Sequence, residues 1–296
     1  MDAILEWGVN VVLWFQQFSP ALDLPFSLLT FMGDEEFFLL LLPFVYWCTD
    51  RRTGARLVVL FLFSTWVNAL AKALGQQPRP FQYDSRVQMI QGAEGWGFPS
   101  GHTQGAVVVW GYLGSQVKRR WFWVIAVLLM VLIPMSRLYL GVHFPHDLLG
   151  GYAIGGGLVL LYLWLQPKIE SWLADQKWGL VIGVALVVPI LLALVFPDED
   201  GVTAIATLWG MGIGFVCERQ WVGFEPHRSI WRRGLGLLIG LVVLVGLWYG
   251  LSVAFEPLSP PLLLRFVRYG LVGLWGGLGA PWAFVRLGLS NSKGGD

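Results

Sequence analysis

Long apolar runs, separated by short clusters of polar and turn residues, set the pattern of this chain. Several runs carry no charge at all, among them Trp121 to Ser136, Leu148 to Gln166, Trp178 to Pro197, Gly201 to Cys217 and Gly234 to Phe255. A helix needs about 20 residues to cross a hydrocarbon core of about 30 Å. Backbone groups in lipid must pair within the chain, so runs of this length are expected as helices. The pattern predicts nine spans, at about 35–49, 56–75, 101–117, 121–139, 146–166, 178–197, 201–218, 234–255 and 262–285. The first is short and contains Pro43. Upstream, Trp7, Val11, Trp14 and Phe18 recur on one helical face, with Asp2, Glu6, Asn10 and Gln17 elsewhere on the wheel. That periodicity predicts an amphipathic helix lying in the outer interface, ended by Ser19-Pro20 and Asp23-Leu24-Pro25. A signal anchor is the alternative, but it would add a span and invert everything after it. The expected fold class is all-α: a polytopic transmembrane helical bundle of about nine spans with an N-terminal amphipathic interfacial helix.

Composition agrees and excludes a soluble domain. Hydrophobic residues make up 56% and charged residues 13%, against roughly a quarter charged in an ordinary soluble protein. Many of the seventeen tryptophans, including Trp47, Trp121, Trp178 and Trp221, stand near run ends, as interfacial belts require. The net charge of +1 says little; its placement says more. Arg51, Arg52, Arg56, Lys118, Arg119, Arg120, Lys168, Lys177, Arg219, Arg228, Arg232, Arg233, Arg286 and Lys293 fall in alternate loops and at the C-terminus. By the positive-inside bias these face the cytoplasm. Lys72, Arg79, Arg86, Arg137, Arg265 and Arg268, with the acidic turn Asp198-Glu199-Asp200, then belong to the opposite side. The first 33 residues lack the basic start and small-residue cleavage site of a signal peptide. Cys48 and Cys217 form neither a disulfide framework nor a metal-ligand spacing. No charge run suggests nucleic acid as a partner, and the only low-complexity tract is the polar tail Ser290 to Asp296.

Within this apolar background three short motifs hold the polar chemistry. They are Lys72 with Arg79-Pro80, then Pro99-Ser100-Gly101-His102, then Ser136-Arg137 with His143 and Asp147. Written as patterns they are K-x6-R-P, P-S-G-H and S-R-x5-H-x3-D, in that order. Motif one closes the second span, motif two opens the third, and motif three joins the fourth to the fifth. All three therefore converge on one membrane face. The chain resembles the type 2 phosphatidic acid phosphatase superfamily, of lipid phosphate phosphatase and glucose-6-phosphatase type, and no motif position departs from its pattern. The resemblance covers Lys72 to Asp147, about a quarter of the chain.

The resemblance implies roles. Lys72, Arg79 and Arg137 would bind the phosphate oxygens, with Ser100 and Gly101 at the start of a helix whose amides face the anion. His143 would be the nucleophile, forming a phosphohistidine, and Asp147 would fix its tautomer. His102 would protonate the leaving oxygen and then activate water. With three protein cations, neither a metal nor another cofactor is expected. Singly, each residue has a plainer reading: Ser100 as an N-cap, Lys72 and Arg79 as interfacial anchors, Arg137 as a span end, either histidine as a polar interfacial residue. Jointly these readings fail, because two of only four histidines fall on motif positions beside three cations. His146 is expected as a neighbour able to tune the site, His227 as a solvated loop residue, and Arg265 and Arg268 as snorkelling cations.

The organisation expected is residues 1–33 as the amphipathic segment, 34–166 as the phosphatase core, and 167–296 as an appended membrane bundle with a short tail. The function expected is hydrolysis of a lipid phosphate or diphosphate ester at the non-cytoplasmic face, in a bacterial inner membrane or endoplasmic reticulum. Partners are then membrane lipids and a lipid phosphate; the sequence gives no oligomeric state. The nine-span layout is also similar to glucose-6-phosphatase, which keeps a soluble sugar phosphate open. A phosphotransferase to a lipid or glycan acceptor would use the same pocket. A transporter or scramblase would need neither nucleophile nor general acid, and a haloperoxidase would not suit a membrane-embedded chain. The Phe81-to-Phe98 segment, with Tyr83, Asp84, Arg86 and Trp96, borders the motifs and is expected to select the substrate.

Overall fold

A computed structural model describes residues 2–292, most of them helical. Lys293 and the rest of the polar tail beyond Ser292 lie outside the described residues. The N-terminal segment is not one helix but two, α1 (Asp2–Gln16) and α2 (Asp23–Phe31). Asp23-Leu24-Pro25, expected as a stop, instead opens α2, because proline in a first turn costs no hydrogen bond. Next come α3 (Glu35–Pro43), a π-helical segment Phe44–Thr49, and α4 (Arg51–Gly75). A short α5 (Pro80–Tyr83) precedes α6 (Gly101–Val117), α7 (Arg120–Tyr139) and α8 (Pro145–Ala174). The remainder is α9 (Trp178–Val195), α10 (Glu199–Trp221), α11 (Ile230–Phe255), α12 (Pro261–Leu274), a second π segment Trp275–Gly279 and α13 (Ala280–Arg286).

Among the described residues, six stretches are long and apolar enough to cross a membrane: Arg51–Tyr83, Arg120–Tyr139, Pro145–Ala174, Trp178–Val195, Glu199–Trp221 and Ile230–Phe255. They match six of the nine expected spans. The other three are shorter or broken. At 35–49 the helix changes to π geometry immediately after Pro43, which lacks the amide that would continue the ladder. α6 has 17 residues. The 262–285 stretch divides into α12, the π segment and α13.

The chain forms two compact units, Met1–Phe38 with Val67–Trp164, and Leu39–Trp66 with Leu165–Asp296. In the first unit α1 and the turn that follows it carry two apolar stripes. Trp7, Trp14 and Phe18, the aromatic side, are exposed, as an interfacial helix requires. Leu5, Val9 and Val12, spaced by four and three residues on the other side, are buried against Val87 and Phe144. Gly8 lets this stripe approach closely; a Cβ there would lie 2.7 Å from Phe144 Cδ1. The Gln16 side chain completes the dock, donating to the carbonyls of Gln88 (2.6 Å) and Tyr139 (3.2 Å) and accepting from the Gln88 amide (3.0 Å). α2 is held to α7 by Phe26 stacked on Tyr139 at 4.4 Å and by the Tyr139 hydroxyl on Asp23 at 2.5 Å. The glycines of α8 divide by face: Gly151 and Gly155 abut α6 at Ser100 and Gln104, whereas Gly156 and Gly157 meet open space.

In the second unit a core of Tyr46, Trp47, Phe224, Leu244 and Phe284 is wrapped by α10 to α13. Gly210, Gly214, Gly270 and Gly273 allow backbone contact between α10 and the α12 region, the small-residue packing that apolar solvent favours. A two-stranded ladder, β1 (Phe224–Pro226) with β2 (Ser290–Ser292), was not anticipated, since neither strand has an alternating pattern long enough to register. The buried Glu218 carboxylate accepts from Arg51 at 3.0 Å and from the Phe224 amide at 2.6 Å. Arg265 pairs with Glu199 of the acidic turn at 2.5 Å, and Arg268 lies 5.2 Å and 5.0 Å from the Trp248 and Tyr269 rings.

Val9 is fully buried. A carboxylate at that position would have to be desolvated without a partner, so Val9→Asp should cost about 3 kcal/mol and undock α1. The measurements are thermal unfolding in detergent micelles and protease cleavage between residues 16 and 23, both of which Val9→Ile should leave near wild type.

Candidate active site

Each motif residue is delivered by a helix end. Lys72 lies in the last turn of α4, and Arg79 is the residue before α5. Ser100 caps α6, its hydroxyl oxygen accepting from the Thr103 amide and, at 3.0 Å, from the Thr103 hydroxyl. Gly101 has the Asn68 side chain against it: a Cβ would lie 3.1 Å from Asn68 Oδ1. Arg137 is in the final turn of α7. That helix closes through Gly141, at φ +76°, with the Val142 amide donating back to the Arg137 carbonyl. An L side chain at such a φ is strained, and a Cβ at 141 would also run into the Gln88 carbonyl. The turn reverses the chain and returns His143 towards Arg137. α8 starts at Pro145, so His143 stands just before the helix and Asp147 just inside it.

Asp147 joins two of the motifs. Its Oδ2 accepts from the Phe144 amide at 2.8 Å and lies 3.2 Å from His143 Nδ1, while its main-chain carbonyl accepts from the Ser100 amide at 3.0 Å. His143 Nε2, on the far side of the ring, is 3.4 Å from Arg79 Nη1. The Arg79 guanidinium also donates to the carbonyls of Val142 (2.9 Å), Gly95 (3.0 Å) and Glu94 (2.6 Å). These groups are out of water: Arg79 and Arg137 are 4% exposed, His143 2% and Asp147 0%. Burial, and then the positive charges of Arg79, Arg137 and Lys72, push His143 well below the ordinary histidine range, so its imidazole is neutral. With Nδ1–H directed at Asp147, the Nε2 lone pair is the one open to an electrophile.

Three residues outside the three motifs also take part. His102 Nε2 lies 2.7 Å from Asp34 Oδ1, at the α2–α3 turn, and both side chains are about one-fifth exposed. Arg137 Nη1 donates to the buried Thr30 hydroxyl at 2.5 Å. Asn68, one turn before Lys72 on α4, donates to Gln104 Oε1 at 2.9 Å and to the Pro99 carbonyl at 3.4 Å. None of the three was singled out from sequence. A signal existed for two of them: Asn68 is an amide inside an apolar span, and Asp34 is a charge at the edge of one. Thr30 carries none, since threonine is unremarkable in such a run. His146, expected as a neighbour, is one: Nε2 lies between Gln77 Oε1 (2.8 Å) and Asp147 Oδ1 (3.3 Å), and the ring stacks on Phe144. Thr30→Val keeps the shape of the side chain and removes the acceptor from a buried guanidinium. We expect it to lower stability by about 1–3 kcal/mol in detergent unfolding, with Thr30→Ser close to wild type.

The chain is similar to known proteins over much of its length. The PAP2 superfamily matches residues 53–171, and the transmembrane extension of PAP2 superfamily phosphatases matches residues 202–292. Sphingosine-1-phosphate phosphatase 2 of Mus musculus is 30% identical over 62% of this chain and 55% of its own length. Lipid phosphate phosphatase delta of Arabidopsis thaliana is 26% identical over 65% of this chain and 50% of its own. The chain thus spans about half the length of these curated relatives. Glucose-6-phosphatase 3 of Bos taurus is 26% identical over 95% of this chain and 88% of its own. The two matched regions account for both halves of an integral membrane protein, and the chain belongs to the PAP2 superfamily with its transmembrane extension.

Proposed function

We propose that the protein is a membrane phosphatase that hydrolyses a lipid phosphate or diphosphate ester through a phosphohistidine intermediate, on the non-cytoplasmic face. One observation carries the reading: His143 is held by Asp147 at Nδ1 while its Nε2 faces the Arg79 guanidinium. A phosphoryl group bound to Arg79, Arg137 and Lys72 brings its phosphorus to that nitrogen, and three cations offset the charge on its oxygens. The first-turn amides of Gly101 and His102 add donors at the start of α6. The Nε2 lone pair then forms the N–P bond as the P–O bond of the ester breaks, and His102, which takes up a proton as the anionic ester binds, gives that proton to the departing oxygen. Water attacks the phosphohistidine with His102 taking its proton, phosphate leaves, and His143 is neutral again. Asp147 steadies the ring throughout, and no metal is needed where guanidinium and ammonium groups supply the charge.

The lipid substrate is supported by the names of the sphingosine-1-phosphate and lipid phosphate phosphatases among the relatives. The outward face is supported by the distribution of basic residues. A second reading, a soluble sugar phosphate, is favoured by the near full-length match to glucose-6-phosphatase 3. Substrate choice would rest on the Phe81-to-Phe98 segment, whose carbonyls at Glu94 and Gly95 already hold Arg79. Exchanging that segment for a relative's would shift the preference; an unchanged preference would relieve it of the role.

The decisive assay is phosphate release in mixed micelles with a metal chelator, over acylated and soluble phosphate esters. Release should persist with chelator, favour the acylated esters, and fall on the order of 10³-fold or more in His143→Ala. Activity surviving that substitution would sink the phosphohistidine reading. A best substrate without an acyl chain would replace the lipid by the sugar ester. The depressed His143 leaves the nucleophile unprotonated at pH 6.5 and above. The acid limb of kcat/KM, corrected for the dianionic fraction of the ester, should therefore appear only below pH 6.5. A limb above 7 would show a nucleophile that is not shielded from its proton.

A further inference from the structure

We infer that Asp34 is a positioning residue for His102, holding the ring at Nε2 so that Nδ1 is the nitrogen presented to the reacting phosphate. The inference rests on the phosphatase reading and gives a role to a segment upstream of the matched region 53–171.

Three observations carry it. The first is the 2.7 Å contact between His102 Nε2 and Asp34 Oδ1, a separation at which a shared proton is a charge-assisted hydrogen bond. The second is the backbone beside it. After α2, the amides of Met32, Gly33 and Asp34 donate in succession to the carbonyls of Leu29, Thr30 and Phe31, a tight turn that fixes where Asp34 stands. In that turn Gly33 lies so near the imidazole that a Cβ would be 2.6 Å from His102 Cδ2 and 3.0 Å from Ile133 Cγ2. The ring is thus confined along one edge and bonded at the adjoining nitrogen. The third is the charge around it: His102 faces the cations Arg137 and Lys72, and Asp34 is the carboxylate opposing them. A proton in transit through His102 would otherwise add a third positive charge to that group.

The same turn also supplies Thr30, which holds Arg137. One short connection therefore orients a proton carrier and a phosphate ligand together. The simpler role for an aspartate just before a helix is to cap it, here α3. A cap would affect stability alone, whereas a partner of His102 affects the proton that His102 transfers, and the two are separable by leaving group. An alkyl phosphate needs a proton delivered to its departing oxygen; p-nitrophenyl phosphate does not.

The test compares Asp34→Asn with wild type on both esters in mixed micelles. We expect kcat/KM, which reads only as far as the phosphorylation step, to fall about 10–100-fold on the alkyl ester and less than about 3-fold on the aryl ester. Asp34→Glu should recover part of the loss. His102→Asn should show the same leaving-group pattern, and adding Asp34→Asn to it should cost little more. Equal losses on both esters, or fully additive losses in the double variant, would overturn the assignment. A measurement on the unmodified protein does not depend on turnover: the ¹⁵N shifts of His102 should report an Nε2–H ring. An Nδ1–H tautomer there would overturn it even in an active enzyme. Absence of phosphate release by wild type would count against the phosphatase reading, and the tautomer would still decide whether Asp34 holds His102.

Discussion

A carboxylate with no access to water is costly unless every contact around it is favourable, and Asp147 is such a group. Its Oδ2 collects the Phe144 amide and the His143 ring, and its carbonyl collects the Ser100 amide. Gly97 presses against the same oxygen: a Cβ there would lie 3.2 Å from it and 3.1 Å from the Pro78 carbonyl, so a side chain would have to push those groups aside. The consequence is mechanical as well as electrostatic. The start of α6 and the start of α8 are joined through one residue, and the imidazole between them cannot turn without breaking a buried hydrogen bond. Gly151 and Gly155 continue the same close approach further along α8.

Around that anchor the cations are arranged unevenly. Arg79 spends its donors on three main-chain carbonyls and Arg137 donates to a hydroxyl, contacts that orient a guanidinium without neutralising it. The two nearby carboxylates, Asp34 and Asp147, each lie against a histidine instead. Arg79, Arg137 and Lys72 share this region of low dielectric with Asp34 and Asp147, and their fixed charges set a field there. Such a field is set before any ligand arrives, so little reorganisation is required when an anion binds.

Much of this was legible because membrane helices are dictated by length and apolarity, and because the motif residues are close in sequence. α7, α9, α10 and α11 begin and end within a few residues of their expected limits. Hydropathy does not register a change of helical pitch, so the π segments after Pro43 and Leu274 were hidden inside apolar runs. It also credits one apolar stripe per helix. The aromatic side of α1 was visible because tryptophan dominates any count, while Leu5, Val9 and Val12 passed as ordinary filler. Asp34 and Thr30 were missed for another reason. Their partners lie 68 and 107 residues away, and spacing carries no information over that distance without a fold.

The two stripes of α1 make its attachment to lipid and its attachment to protein a single equilibrium. Trp7 and Trp14 face outward while Val9 and Val12 sit on Phe144, the residue next to His143. Any free energy that the headgroup region gives to the aromatic stripe in the docked orientation beyond what it gives an undocked helix adds to the docked state by linkage. The protein side of that link is Phe144, which stands next to His143. A protein extracted into a small micelle keeps all its covalent chemistry, but it loses the interface that weights α1 towards its seat.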